Sequence, residues 1–243
     1  MKKVQFLLVI VTIISFSACK KSDKTPAATY TCTTCKTTPD ALAANDASSK
    51  GIYKGVVIGS SGTLVINIAN GGTTITAVMV IDGVTVNLTS AVAWVAGQPY
   101  VADFTGTMNG SAVIIHFSVG VNGNTPIATS TTIPGHTTAS LNLIKETSTG
   151  LVECFEGTYH STKPEDGVLN FILSRTLSNW YGFARPNGAN ASGTAGSGII
   201  SNNKLIDPTQ NNQSLGTLSG DNLDGNFVDG NGRTITIVCK RTL

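Results

Sequence analysis

Alternation with a period of two, broken by glycine-containing turns, restricts this chain more than any other feature. "TLVINIA" places Leu64, Ile66 and Ile68 on one face. "TTITAVMVI" places Ile75, Ala77, Met79 and Ile81 on one face, against Thr74, Thr76, Val78 and Val80. "VTVNLT" sets Val84, Val86 and Leu88 against Thr85, Asn87 and Thr89. Successive side chains of a strand point to opposite faces, so these are half-buried strands. Ser61-Gly62, Gly71-Gly72, Asp82-Gly83 and Asn109-Gly110 fall between the runs. Positive φ costs little at Gly and is tolerated at Asn and Asp, so these dipeptides read as hairpin turns of an antiparallel meander. No long pattern of helical period follows, which excludes a parallel βαβ architecture.

The C-terminal part repeats the scheme with more glycine. "FEGTYHST", "GVLNFILSR", "SNWYGFAR", "ASGTAGSGII", "NQSLGTLSG", "NLDGNFVDG" and "RTITIVCKRTL" read as short strands, with turns at Asp166-Gly167, Asn187-Gly188, Asp224-Gly225 and Asp229-Gly230. The expectation is an all-β protein: antiparallel meander sheets forming one or two small barrels or sandwiches. An N-terminal β domain spans 51–150 and a C-terminal β-meander or barrel domain spans 151–243. "GIYKGVVIGSSGTLVINI" (51–68) resembles "GTYHSTKPEDGVLNFIL" (157–173), which is either a duplication or shared hairpin chemistry.

The N-terminus carries an address. Lys2 and Lys3 precede "VQFLLVIVTIISFSA", which is shorter than the roughly 20 apolar residues of a spanning helix. A charged start, a short apolar stretch and small residues before a cut are the layout of a secretory signal over 1–18. Ser17-Ala18-Cys19 resembles the lipobox of bacterial lipoproteins, which implies that Cys19 is lipidated and anchors the chain in a bilayer. Two or three acyl chains hold durably, at about 0.8 kcal/mol per buried methylene. Residues 19–50 then read as a flexible tether with a short helical turn over 38–46, Thr38 as N-cap and Pro39 as the first helical residue.

Without Lys2 and Lys3 the 16 basic residues fall to 14, against 14 acidic ones. No basic excess points to nucleic acid. Cys32 and Cys35 form a C-x-x-C. Redox motifs of that kind sit at a strand–helix junction, and zinc needs a second pair, so a structural disulfide of an oxidising compartment is the plainer reading. Cys154 and Cys239 stand on the first and last strands of the second part, which are neighbours in a closed meander. A bridge between them closes a loop of about 86 residues, worth roughly 4–5 kcal/mol. Four cysteines allow three pairings; their locations favour 32–35 with 154–239.

The lipobox, the "CTTC" segment and the "GIY" and "GTY" openings together resemble the uncharacterised two-part β lipoproteins of Gram-negative bacteria. The second half also resembles the glycine-rich meander barrels of bacterial surface lipoproteins. The resemblance implies a β fold and a cell-envelope location, lipid-anchored in the outer membrane. It carries over no catalytic residue.

Catalytic patterns are sparse. There is no G-x-S-x-G, and "GSSG" at 59–62 has the spacing of a turn. His116, His136 and His160 are scattered, so no metal or cofactor is expected. "GDNLDGNFVDGNG" (220–232) lacks the alternate oxygen ligands and closing Glu of a calcium loop. One stretch, "NWYGFARPNG", gathers Trp180, Tyr181, Phe183 and Arg185 in a chain with 6% aromatics. Either one face packs the core while the other stacks on a glycan or peptide, or both are structural. The expected role is a non-enzymatic envelope lipoprotein that binds a glycan or an envelope protein, or is structural. The alternative is an esterase or other hydrolase whose site is assembled from distant residues.

Overall fold

In the computed structural model, which describes residues 30–163, 165–189 and 193–243, the chain is all-β. The leader at 1–18 and Cys19 lie outside the described residues. Eight strands build a first sheet: β1 (Gly51–Ile58), β2 (Gly62–Ile68), β3 (Ile75–Ile81), β4 (Val84–Thr89), β5 (Tyr100–Met108), β6 (Ser111–Val119), β7 (Ile127–Thr132) and β8 (Ser140–Glu146). Eight more build a closed barrel: β9 (Glu153–Ser161), β10 (Glu165–Ser174), β11 (Asn179–Pro186), β12 (Thr194–Ser201), β13 (Lys204–Asp207), β14 (Gln213–Ser219), β15 (Asn222–Val228) and β16 (Thr234–Arg241).

Both units wind the same way. The first strand of each lies between the second and the last: β1 between β2 and β8, and β9 between β10 and β16. The second unit is hydrogen-bonded all the way round. The first lacks a β7–β8 ladder, and its two edges meet where the Thr131 hydroxyl donates to the Ala139 carbonyl at 3.1 Å. At three hairpins both central residues have positive φ: Asp82 and Gly83 (48° and 76°), Asn109 and Gly110 (51° and 80°), and Asn202 and Asn203 (50° and 59°). That backbone matches the right-handed twist of the flanking strands.

Alternation sorts the side chains. Leu64, Ile66 and Ile68 of β2, Ile75, Ala77, Met79 and Ile81 of β3, and Val86 and Leu88 of β4 point into one core with Tyr53, Phe104 and Phe117. Phe155, Leu169, Phe171, Leu173, Trp180, Leu205, Leu223 and Ile237 fill the second core. β1 departs from the pattern because it is buried on both faces. Tyr53 and Val57 enter the first core, while Val56 and Ile58 pack outward on Val152, Cys154, Ile172 and Phe183 of the second unit. Asn170 of β10 donates to the Val57 carbonyl across this seam at 3.0 Å.

The seam also buries charge. Lys54 Nζ lies 2.6 Å from Glu146 Oε2, and both side chains are almost wholly enclosed. Glu146 accepts two further bonds, from the backbone N–H of Val152 at 3.0 Å and of Asp40 at 2.7 Å. From Tyr30 onward the expected tether is pinned down as a strap. The Tyr30 hydroxyl donates to the Arg241 carbonyl at 2.8 Å, the Cys32 N–H to Asp221 at 2.8 Å, and the Leu42 N–H to Asn70 at 3.1 Å. The strap therefore crosses from the second unit to the first. Its helical turn is shorter than the 38–46 expected. Only Ala43–Asn45 forms one 3-10 turn, preceded by an extended Leu42 with no side-chain cap, so Thr38 caps nothing. The N–H groups of Asp40 and Leu42 are taken by Glu146 and Asn70 instead of by a helix.

Candidate functional site

The closed barrel has two unlike ends. At the lower end Glu153, nearly fully buried, accepts from Arg175 Nε at 3.0 Å and lies 3.1 Å from Arg241 Nη1. Arg241 also lies 3.5 Å from Asp221, and the strap closes over this network at Tyr30, Cys32 and Lys36. Leu173, Leu205, Leu218 and Leu223 fill the lumen above it.

The upper end is open. A cavity of about 470 Å³ is floored by Phe171 and Trp180 and walled by Leu215, Phe227, Ile237 and the small residues Thr194, Ala195, Gly196 and Ser197. Asp207, Thr209 and Gln210 form part of its rim. A second hollow of about 200 Å³ shares Leu169, Ala184, Thr194, Phe227 and Ile237 with the first and carries the rim to Tyr159, Glu165, Asp229 and Arg233. Together they make a calyx, in the size range of ligand pockets.

Glycine on the inner face creates this space. A Cβ at Gly182 would stand 2.7 Å from the Phe171 ring, and one at Gly198 would stand 2.8 Å from Trp180 Nε1. The two rings therefore lie against the barrel wall, edge to face with centroids 5.9 Å apart, and leave the lumen above them unfilled. Trp180 Nε1 donates to the Ile206 carbonyl at 3.1 Å, which holds the indole in place. Gly196 is different: a Cβ there would meet only the Trp180 ring, at 3.7 Å, so it opens onto free space.

The rim is a hydrogen-bonded set. Tyr159 donates to Glu165 Oε1 at 3.0 Å, Arg233 Nη1 donates to Glu165 Oε2 at 2.9 Å, and Arg233 Nε donates to Asp229 Oδ2 at 2.7 Å. Burial, reinforced by the bond to Glu165, pushes the Tyr159 phenol up to about 12. Burial works to raise Asp229, but hydrogen bonds from Arg233 and Asn231 overcome it and hold the carboxyl below its usual range.

The aromatic stretch is divided rather than gathered. Trp180 floors the calyx. Tyr181 faces outward and is exposed, Phe183 is buried in the seam with the first unit, and Arg185 is buried where Nη1 donates to the Thr138 carbonyl at 2.7 Å. A stacking platform of Tyr181 with Phe183 does not form, because the packing of the two units covers one of them.

The cysteines separate in the same way. Cys32 and Cys35 are bridged, with Cα atoms 5.4 Å apart. The expected Cys154–Cys239 bridge is corrected: both are free, buried thiols. β9 and β16 are indeed neighbours, but Cys239 points into the barrel opposite Gly157, whereas Cys154 points out into the seam. Two thiols on opposite faces of a sheet cannot meet. Burial raises both, Cys239 to about 12.

Each histidine stands beside an aspartate: His116 with Asp103, His136 with Asp82 and His160 with Asp166. Ser130 lies opposite His116 on β7, which sets Asp103, His116 and Ser130 in a row across three strands. Ser130 makes no hydrogen bond to His116, and none of the three lines either hollow of the barrel. Among the described residues no three His, Cys, Asp or Glu side chains are placed to hold a metal ion, and no helix is long and apolar enough to cross a membrane. A further cavity of about 460 Å³ lies beside the open seam of the first sheet, lined by Val101, Val119, Ile127, Leu141 and Leu143 with no charged or aromatic group. Comparison with known proteins finds no matching family model, no similar curated protein and no similar solved structure.

Sequence reasoning missed the calyx residues Phe171, Gly196, Leu215 and Phe227 and the Tyr159–Glu165–Arg233–Asp229 rim. A signal for them was present. Gly157 alternates with Phe155 and Tyr159, Gly182 with Trp180, and Gly225 with Leu223 and Phe227, so the inner face of successive strands mixes large rings with no side chain at all.

Proposed function

We propose that this chain is a lipid-anchored envelope lipoprotein whose C-terminal barrel is a non-catalytic binding module for a small, largely apolar molecule. The observation that carries this reading is the calyx at one end of the barrel: an aromatic floor, small-residue walls and a polar rim above a lumen filled by leucines. An eight-stranded barrel is just wide enough to hold one small ligand when its interior is not filled by side chains. A lone polar rim over an apolar lumen fixes orientation more than it performs chemistry.

The anchor suits this use. Tyr30 is held at the sealed end, by Arg241 and by Asn222, whose amide donates to the Tyr30 carbonyl at 3.1 Å. A chain from a lipidated Cys19 to Tyr30 reaches at most about 40 Å. It joins the barrel at the end opposite the mouth, which leaves the mouth clear of the attachment point.

The test is titration of the full chain with the neutral apolar probe N-phenyl-1-naphthylamine. Saturable one-to-one binding is expected, and Gly196→Leu should abolish it without lowering the melting temperature, because a side chain there grows into free space. Absence of saturable binding, or binding indifferent to Gly196→Leu, would overturn the proposal.

A further inference from the structure

Resting on the reading of the calyx as a binding site, we infer that its ligand is an amphiphile with a cationic, amine-type head. Four charged side chains line the two hollows: Asp207, Glu165, Asp229 and Arg233. Three are acidic and one is basic. The single cation is already committed, since Arg233 gives Nε to Asp229 and Nη1 to Glu165. Asp207 has no basic partner among the described residues. Its Oδ1 accepts from the N–H and hydroxyl of Thr209, at 2.8 and 2.7 Å, and among the described residues Oδ2 accepts no hydrogen bond, while the residue lines the calyx. Lys163, the nearby cation of the β9–β10 turn, does not line either hollow.

An anionic head brought to this rim meets an excess of negative charge and finds no free donor cation. A neutral head meets hydrogen-bonding groups, Thr209 and Gln210. A cationic head gains from Asp207 directly and from the net field of the rim. The apolar body lies below the rim on Trp180, Phe171 and Phe227. In water a unit charge met at about 4 Å changes binding by a factor of about five. Reversing the sign of the head therefore separates cation from anion by about tenfold or more at low salt, and the separation narrows as ions screen the rim.

The experiment compares three probes with the same tail: dodecyltrimethylammonium, dodecyl maltoside and dodecyl sulfate, each below its micelle concentration. The protein is the full chain carrying Trp94→Phe, so that the fluorescence of Trp180 alone reports. The ammonium probe should bind about tenfold or more tightly than the sulfate, with the maltoside between them. Added salt should shrink that order, and so should Asp207→Asn, which keeps the acceptor that Thr209 uses. If no probe binds, the calyx is not a binding site and the underlying reading fails. If the maltoside binds but the sulfate equals or exceeds the ammonium, the cavity stands and the head-group inference is overturned. A preference unaltered in a folded Asp207→Asn variant also overturns it.

Discussion

Removing the carboxylate of Glu146 should destabilise the protein far more than a single surface ion pair could. Glu146 sits where β8 leaves the first sheet, and its two oxygens serve Lys54, Val152 and Asp40. In Glu146→Ala, Lys54 keeps only Asp40, 3.6 Å away on the strap. An ammonium stranded in a buried seam costs roughly 3–5 kcal/mol, against at most about 1 kcal/mol for an exposed pair. For a chain of this length 1 kcal/mol moves the melting temperature by about 2–4 °C. Differential scanning calorimetry should therefore show a fall of about 6–20 °C. The double variant Lys54→Met/Glu146→Leu should recover most of it, because Val56 and Val152, which adjoin the pair, belong to an apolar cluster that an apolar pair can join. A single variant that melts within about 2 °C of the wild type would refute the view that this β1–β8 pair is a closed contact buried at the seam.

Other expectations follow from the same packing. Trp180→Ala should cost roughly 3–5 kcal/mol and Tyr181→Ala under about 1 kcal/mol in thermal melts, since one ring floors the calyx and the other is exposed. In mass spectrometry of the non-reduced protein Cys32 should be linked to Cys35, while Cys154 and Cys239 react with thiol reagents only after denaturation. Burial and Glu165 hold the folded Tyr159 phenol near 12 against an ordinary 10.0, so the folded state keeps a proton that the unfolded state loses. The Tyr159 share of the stability should then fall as pH rises from about 10 and level near 12, read as the difference between the wild type and Tyr159→Phe in denaturant melts across that range. Cys19→Ala should abolish metabolic palmitate labelling and detergent-phase partitioning of the expressed protein; unchanged labelling would remove the lipid anchor.

The strands were legible because alternation and turn chemistry act locally. Ile75, Ala77, Met79 and Ile81 point inward, and Asp82-Gly83 turns, for reasons contained in a dozen residues. The seam was not legible. "GIYKGVVI" gives no sign that both faces of β1 are covered, because its second partner is the outer wall of a barrel formed more than a hundred residues later. The same seam takes Phe183 and Arg185 out of the expected platform and turns Cys154 away from Cys239. The strap was hidden too, since its anchors are single polar contacts to Arg241, Asp221, Asn70 and Glu146 that leave no periodicity. The calyx depends on rings lying flat over glycines in neighbouring strands, a property of register that only the assembled barrel displays.

The central claim, that the barrel of β9 to β16 holds an apolar ligand above Trp180, is tested most directly by the indole N–H signals of the protein. The chain has two tryptophans. Trp180 Nε1 is bonded to Ile206 at the calyx floor, and Trp94 Nε1 to Ser49 in the first unit at 2.8 Å. In a proton–nitrogen correlation spectrum, titration with N-phenyl-1-naphthylamine should shift the Trp180 signal to saturation and leave the Trp94 signal in place. Movement of Trp94 alone, or of neither, would contradict the account.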